Sequence, residues 1–216
     1  EMYKKKPFYI VFEGIEGCGK SYQSKRLFIK LKKNKIDSIL TRDPGGTKSS
    51  ELIRNLILKD YFAKGNKEKF DKYTDTLLYL AARNEHIKNK IKPALLKKKV
   101  VICDRFIDST IAYQVYGKKV DLSFINNIHK KILSGIKPDI VFVLKVSSSI
   151  SRLRLKKRKT KNRYDNFAQS FYSKAQNSFI KLAKGKKNYF ILNSSSNNNT
   201  LELEIFNIVK KFLKIK

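Results

Sequence analysis

The apolar run Phe8-Tyr9-Ile10-Val11-Phe12 passes through Glu13 into Gly14-Ile15-Glu16-Gly17-Cys18-Gly19-Lys20-Ser21, which keeps the spacing G-x-x-x-x-G-K-S. An apolar run this short, preceded by Pro7 and followed after Glu13 by Gly14, reads as a strand covered on both faces. The glycines then let the chain turn sharply into a helix whose first backbone N–H groups point back at the turn. Such a junction confines the chain to layered α/β arrangements around a parallel sheet. It also carries a chemistry: the loop amides cradle a nucleoside triphosphate, Lys20 neutralises its β and γ phosphates, and the Ser21 hydroxyl completes a Mg²⁺ coordination sphere. A chance glycine turn would not be expected to hold every fixed position between a strand and a helix.

The rest of the chain repeats the alternation. Strands are predicted at Phe8 to Glu13, Ser38 to Thr41, Val100 to Asp104, Ile140 to Val146 and Tyr189 to Leu192. Helical spacing separates them: Leu27, Phe28 and Leu31; a helix from about Lys72 to Ile91 that Pro93 breaks; Leu122, Ile125, Ile128, Ile132 and Leu133; and Leu201, Ile205, Ile208, Val209 and Phe212. The apolar stripes are expected to be core packing. Residues 61–71 and the Ser/Asn stretch Asn193 to Asn199 read as surface segments. The expected class is α/β, a three-layer P-loop NTPase fold with a five-stranded parallel sheet flanked by helices. With no linker or repeat to divide the 216 residues, one domain is expected over 1–216.

Lys and Arg number 49 against 18 Asp and Glu, a net charge of +31. Forty lysines to nine arginines, scattered through a chain also rich in Asn, Ile, Phe and Tyr, are what AT-rich codons supply, so a solvated surface is expected and no specific nucleic-acid partner. No apolar run reaches the roughly 18 residues of a membrane span, and no signal-peptide pattern opens the chain. Two cysteines, Cys18 and Cys103, make no disulfide framework, which favours a cytoplasmic location.

Charge gathers where predicted strands end. Thr41-Arg42-Asp43-Pro44-Gly45-Gly46-Thr47 follows the second strand, with Arg54 in the next helix, and Val101-Ile102-Cys103-Asp104-Arg105-Phe106 closes the third. Ligands of open parallel sheets lie beyond the carboxyl ends of the strands, so these groups fall on the edge of the phosphate loop. Arg42 and Arg54 can hold an anion, Asp104 can act on the metal or its waters, and Arg105 can fork onto a phosphate. After the fourth strand come Arg152, Arg154, Lys156, Lys157, Arg158, Lys159, Lys161 and Arg163, four of the nine arginines. In a phosphoryl-transfer protein such a segment is a lid closing arginines over the transferring group.

The segment Asp104-Arg105-Phe106-Ile107-Asp108-Ser109-Thr110-Ile111-Ala112-Tyr113-Gln114 resembles the D-R-[FYH]-x-x-S-[ST]-x-A-Y-Q signature of the thymidylate kinase family, P-loop enzymes that phosphorylate dTMP. Arg42-Asp43-Pro44-Gly45-Gly46-Thr47 is similar to that family's R-E-P-G-G-T, and Leu77-Leu78-Tyr79-Leu80-Ala81-Ala82-Arg83 to its L-L-F-x-A-x-R. The resemblance runs in order from Phe8 to about Asp165. It implies ATP on Gly14, Ile15, Glu16, Gly17, Cys18, Gly19, Lys20 and Ser21, with Mg²⁺ held at Ser21 and Asp104. Arg54 and Arg105 would grip the dTMP phosphate with Arg42 in support, and Glu16 would be the loop carboxylate near the acceptor sugar and metal. Tyr79 would stack on thymine, Arg83 would hydrogen-bond its edge, Thr110 and Gln114 would read its remaining polar atoms, and Tyr113 would lie under the deoxyribose.

The lid, about residues 152–165, would supply the catalytic arginine, Arg154 or Arg158, and close with Arg163-Tyr164-Asp165. The implied catalytic set is Glu16, Lys20, Arg105, Arg154 and Arg158, and a homodimer is implied. Asp43 is one methylene shorter than the family's glutamate, so its hydrogen bond must be re-aimed. The expected activity is transfer of the γ-phosphate of ATP to dTMP for dTTP synthesis. Another nucleotide or deoxynucleoside kinase, or a nucleic-acid-dependent P-loop ATPase, are the rival readings.

Overall fold

A computed structural model describes residues 6–59, 69–158, 168–195 and 198–215. Its first strand, β1 (Phe8–Glu13), is buried at every position, as a strand covered on both faces must be. In chain order there follow α1 (Lys20–Lys33), β2 (Ser38–Arg42), α2 (Lys48–Leu58), α3 (Lys72–His86), α4 (Lys92–Leu96), β3 (Val100–Asp104), α5 (Ile107–Thr110), α6 (Leu122–Ile132), β4 (Ile140–Lys145), α7 (Ser148–Lys156), α8 (Gln169–Ala183), β5 (Tyr189–Asn193) and α9 (Asn198–Leu213). The five strands are parallel in the order β2-β3-β1-β4-β5.

Alternation along β1 separates the layers. Phe8 and Phe12 look toward α9, joined to it through the ring contacts Phe12–Phe142, Phe142–Phe190, Phe190–Phe212 and Phe8–Phe212. On that side α1 packs against both the sheet and α9. Tyr9 turns to the opposite face, its ring 5.2 Å from that of Phe106, where α8 covers β4 and β5. The register sets Phe12 of β1 and Arg42 of β2 on either side of Asp104 of β3. The loops after β1, β2 and β3 therefore leave from one edge.

The predicted strands are all present, with ends shifted by one residue: Arg42 and Asn193 join the sheet, while Val146 leaves it and donates its N–H to Gln176 Oε1 at 2.9 Å. Asn193 and Asn198 bound a connection shorter than the expected Ser/Asn loop, since one ends β5 and the other begins α9. Of the expected surface segment 61–71, residues 61–68 lie outside the described residues, and Asp71 caps α3 by accepting from Tyr73 N at 2.8 Å.

Pro93 does not break its helix. Helical backbone continues from Lys72 to Leu96 because Ile87–Ile91 widens into a π-helical turn, in which Lys92 N–H bonds Ile87 O. Pro93 thereby falls in the first turn of α4, where a missing amide costs nothing. A second π-helical segment, Ile111–Gly117, prolongs α5 and carries Tyr113 and Gln114. π-Turns inside helices recur at functional sites.

Gly46, in the turn after β2, has φ +85°, and a Cβ there would lie 2.7 Å from Nε2 of the buried His86. At Gly135 (φ +76°) a Cβ would meet nothing within 4 Å. Gly135→Ala should therefore lower the unfolding free energy by about 1–2 kcal/mol, the cost of left-handed backbone, and Gly46→Ala by about 1–3 kcal/mol more from the clash. Urea denaturation of the two variants reads the difference, and equal losses would show that crowding against Thr41 Oγ1 and His86 is without consequence.

Candidate active site

The first turn of α1 is left open. Thr47, Asp71, Asp121 and Ser147 cap α2, α3, α6 and α7 with their side chains, whereas Gly19 (φ +94°) begins α1 with no side-chain cap. Its free N–H groups and the helix dipole make an anion site. Gly17 (φ +72°) lies so close to α7 that a Cβ would stand 2.7 Å from Ser151 O. From α7, Ser151 Oγ donates to Glu16 O at 2.8 Å, and Arg154 donates to Gly17 O at 3.3 Å and Ser194 O at 2.8 Å. Lys20 is buried, its Nζ 2.8 Å from Ile15 O and 3.5 Å from Cys18 Sγ. Ser21 Oγ donates to Asp104 Oδ2, joining the helix to the end of β3.

Arg105 has φ +73°, a conformation that costs a non-glycine residue free energy and is held by its surroundings. Its N–H donates to Phe12 O at 2.9 Å. The guanidinium donates to Glu16 Oε1 at 2.7 Å, Gly14 O at 2.9 Å and Ser109 Oγ at 3.0 Å, and lies 5.4 Å over the Tyr113 ring. Tyr113 OH donates to the other Glu16 oxygen at 2.5 Å. Burial would raise the Glu16 pKa, but the Arg105 and Lys20 charges outweigh it and hold the carboxyl below its ordinary value. Behind this cluster Glu13 accepts from Phe106 N at 2.8 Å, Ser109 N at 3.2 Å and Ser109 Oγ at 2.6 Å. Burial, with the nearby Asp108, pushes Glu13 up to about 7. The acid closing β1 thus fastens the segment that carries Arg105.

Beyond β2, Arg42 forks onto Glu51 at 2.8 and 3.1 Å, and Arg54 donates to Pro44 O at 2.7 Å. Arg83 is 1% exposed. It donates to Asp43 Oδ1 at 2.8 Å and Oδ2 at 3.3 Å, to Phe106 O at 2.9 Å, and to His129 Nε2 at 2.9 Å. Asp43 thus sits in a fork on Arg83, with His86 Nδ1 3.5 Å from its Oδ2. Burial alone would raise Asp43, but the Arg83 charge and His86 keep its acid below the ordinary value. Thr110 Oγ1 and Gln114 Nε2 are buried without a hydrogen-bond partner.

A cavity of about 490 Å³ brings most of the predicted residues together. Glu16, Gly17, Gly19, Lys20 and Ser21 line one part, Arg154 and Arg158 border it from α7 and its end, and Arg42, Arg54, Tyr79, Arg83, Asp104, Arg105, Thr110, Tyr113 and Gln114 line the remainder. Gly14, Ile15 and Cys18 do not line it, and the side chains of Ile15 and Cys18 are buried beneath the loop. Arg163, Tyr164 and Asp165 lie outside the described residues. Among the described residues no three His, Cys, Asp or Glu side chains cluster as a metal cage. The oxygen pair of Ser21 and Asp104 fits Mg²⁺, which takes one or two protein oxygens and completes its shell with phosphates and water.

Three buried groups escaped sequence reasoning. Glu13 could have been found as an acid ending a wholly apolar run, and Ser109 stood inside the quoted signature without being assigned a role. His129 follows Ile125 by four residues and precedes Ile132 by three, a spacing that puts it on the buried stripe of α6.

Residues 12–205 match the thymidylate kinase family model. A thymidylate kinase of Wolbachia pipientis subsp. Culex pipiens is 40% identical over 209 residues, covering 94% of this chain and 96% of that protein. Another, from Aster yellows witches'-broom phytoplasma, is 40% identical over 210 residues, covering 95% and 96%. The crystal structure of thymidylate kinase from Ehrlichia chaffeensis superposes with a TM-score of 0.74 at 33% identity, covering 94% of this chain and 99% of that one. With the phosphate loop, the strand-end arginines and the signature helix gathered on one cavity, the chain belongs to the thymidylate kinase family.

Proposed function

We propose that this chain transfers the γ-phosphoryl group of ATP to dTMP, giving ADP and dTDP, with both substrates held in the cavity beyond β1, β2 and β3. One observation carries the residue roles: the same 490 Å³ cavity is lined by Lys20 and Ser21 of the phosphate loop and by Arg54, Arg105, Tyr79, Arg83 and Gln114. A phosphate monoester has its second pKa near 6, so the acceptor oxygen is largely ionised at neutral pH and needs no strong general base. Catalysis then consists of alignment and charge neutralisation.

Lys20 neutralises the donor phosphates, and Arg105 and Arg54 grip the acceptor phosphate with Arg42 in support. The Glu16 carboxylate holds Arg105 and Tyr113 from opposite oxygens, which supports the reading of Tyr113 as the ring beneath the deoxyribose. Tyr79 stacks on thymine. Arg83 has four of its five N–H groups in protein bonds, and the fifth is available to the base edge. Thr110 and Gln114 bring buried polar atoms that a bound base would satisfy. Mg²⁺, held at Ser21 and Asp104, would neutralise charge on the β and γ phosphates.

Arg154 is engaged with the Gly17 and Ser194 carbonyls, which supports a role as clamp on the donor loop. Arg158 borders the cavity just beyond α7 and is the principal catalytic arginine of the proposed lid, residues 152–165. Two arginines at the acceptor end suit a nucleotide that already carries phosphate better than a nucleoside hydroxyl.

A homodimer is the proposed assembly. α3 packs against both α2 and α6, and these helices leave Leu52, Leu56, Tyr73, Leu77 and Leu122 exposed. A cytoplasmic site of action is proposed with it; no helix among the described residues is long and apolar enough to cross a membrane.

With ATP and Mg²⁺, dTMP should be the preferred acceptor over dUMP, dCMP, AMP, GMP and thymidine, with dTDP as product and turnover abolished by chelation. Turnover confined to thymidine, or requiring DNA, would overturn the assignment. Lys20→Ala and Arg105→Ala should each lower kcat by about 10²-fold or more with circular dichroism unchanged; a wild-type rate in either folded variant would refute the role of the residue it lacks. Arg158→Ala is expected to act on kcat, and Arg154→Ala chiefly on KM for ATP. Steady-state kinetics of both variants would reverse that division if Arg154 were the catalytic arginine.

A further inference from the structure

We propose that His129 is a positioning residue for acceptor selection: from α6 it holds the Arg83 guanidinium in the orientation that meets the base. The inference rests on the reading of Arg83 as the residue at the base edge. His129 does not line the cavity, so it acts through Arg83.

The chemistry of the contact is unambiguous. A guanidinium has only N–H donors, so at 2.9 Å from Arg83 Nη1 the His129 Nε2 must be the acceptor. The ring is therefore neutral, with its proton on Nδ1. A cationic ring would set one N–H against another. Burial, reinforced by the Arg83 charge, pushes the His129 pKa down to about 3, so the accepting form persists throughout the range in which the enzyme would work.

The other Arg83 partners leave this edge unattended. Asp43 takes Nε and one Nη2 hydrogen, and Phe106 O takes a second bond from Nη2. Nη1 carries the remaining two hydrogens, of which His129 takes one. The guanidinium is planar with its N–H groups in a fixed fork, so with one Nη1 hydrogen on His129 the other is the one left for the base edge. His129 is itself buried on a packed helix: it lies one turn beyond Ile125, which packs with Leu80 of α3 in a second buried cluster. Since Leu80 and Arg83 are on the same helix, the α3–α6 packing and the His129–Arg83 bond fix one another.

His129→Leu removes the acceptor while keeping an apolar side chain, and His129→Gln restores an acceptor oxygen. Loss of a hydrogen bond to a charged group should raise KM for dTMP about tenfold or more in His129→Leu, with kcat and KM for ATP within about twofold of wild type and most of the loss recovered in His129→Gln. The tautomer is read on the wild-type protein by ¹⁵N NMR, independently of the kinetics of the variants. With only two histidines in the chain, assignment needs one comparison with His129→Gln. A neutral Nδ1–H ring from pH 8 to pH 5 is expected. A ring protonated on Nε2, or titrating near 6.5, would overturn the proposal, and so would an unchanged KM for dTMP in folded His129→Leu. Wild-type indifference between dTMP and dCMP would sink the underlying reading of Arg83; wild-type preference for dTMP with an unaltered KM in His129→Leu would sink this inference alone.

Discussion

The register in which Phe12 of β1 and Arg42 of β2 both stand beside Asp104 of β3 governs everything above the sheet. Parallel strands share a direction, so once their ends are level each following loop emerges on one edge. The phosphate loop, the Arg42–Thr47 turn and the Asp104–Phe106 segment meet there although they are far apart in the chain. Ser21 Oγ bonds Asp104, and Arg105 bonds Gly14 O and Glu16, across that junction. A shift of one residue between β1 and β3 would exchange the faces of β1 and turn Glu13 away from Phe106 and Ser109.

Above this edge, two sets of polar groups are paired with one another. One runs from Glu13 through Ser109 and Arg105 to Glu16 and Tyr113. The other links Thr41, His86, Asp43, Arg83 and His129. Ion pairs of this kind give little net stability, because desolvation offsets much of their attraction, yet losing one partner leaves the other charge stranded at a cost of about 3–5 kcal/mol. Their effect is geometric. They keep long, flexible arginines in single orientations, so that substrate binding need not order them. Arg105 shows how far this goes, with its backbone held at φ +73°.

Much of the architecture could be read from local pattern. A strand buried on both faces is a continuous apolar run, the glycine spacing carries its own geometry, and helical stripes announce most of their buried sides, although Leu122 and Phe212, read as stripe residues, are exposed. Pro93 is misleading for a reason that is not local: whether a proline ends a helix depends on whether the preceding turn can widen and deliver it to a first-turn position, and Ile87–Ile91 does so with Ile87 and Ile91 packed in the core. The roles of Glu13 and His129 were hidden in the same way. A single acid or histidine on an apolar face is ordinarily inert, and it acquires meaning from a partner supplied by a distant element.

The chain's own order of residues decides which chemistries are available: a phosphate loop after a buried strand, arginines at strand ends, and a signature helix with Tyr113 and Gln114. These follow from short-range constraints, namely backbone freedom at glycine, the period of side-chain alternation, and the number of donors each side chain bears. Which arginine faces which group is decided only in three dimensions. Arg83 and Arg105 look alike as residues in a motif, yet one is held between Asp43, Phe106 and His129 while the other spans Glu16, Gly14 and Ser109. The physical reason is that a buried guanidinium must satisfy its donors with whatever acceptors the packing of helices and strands brings within reach, and those acceptors come from segments that no local pattern relates.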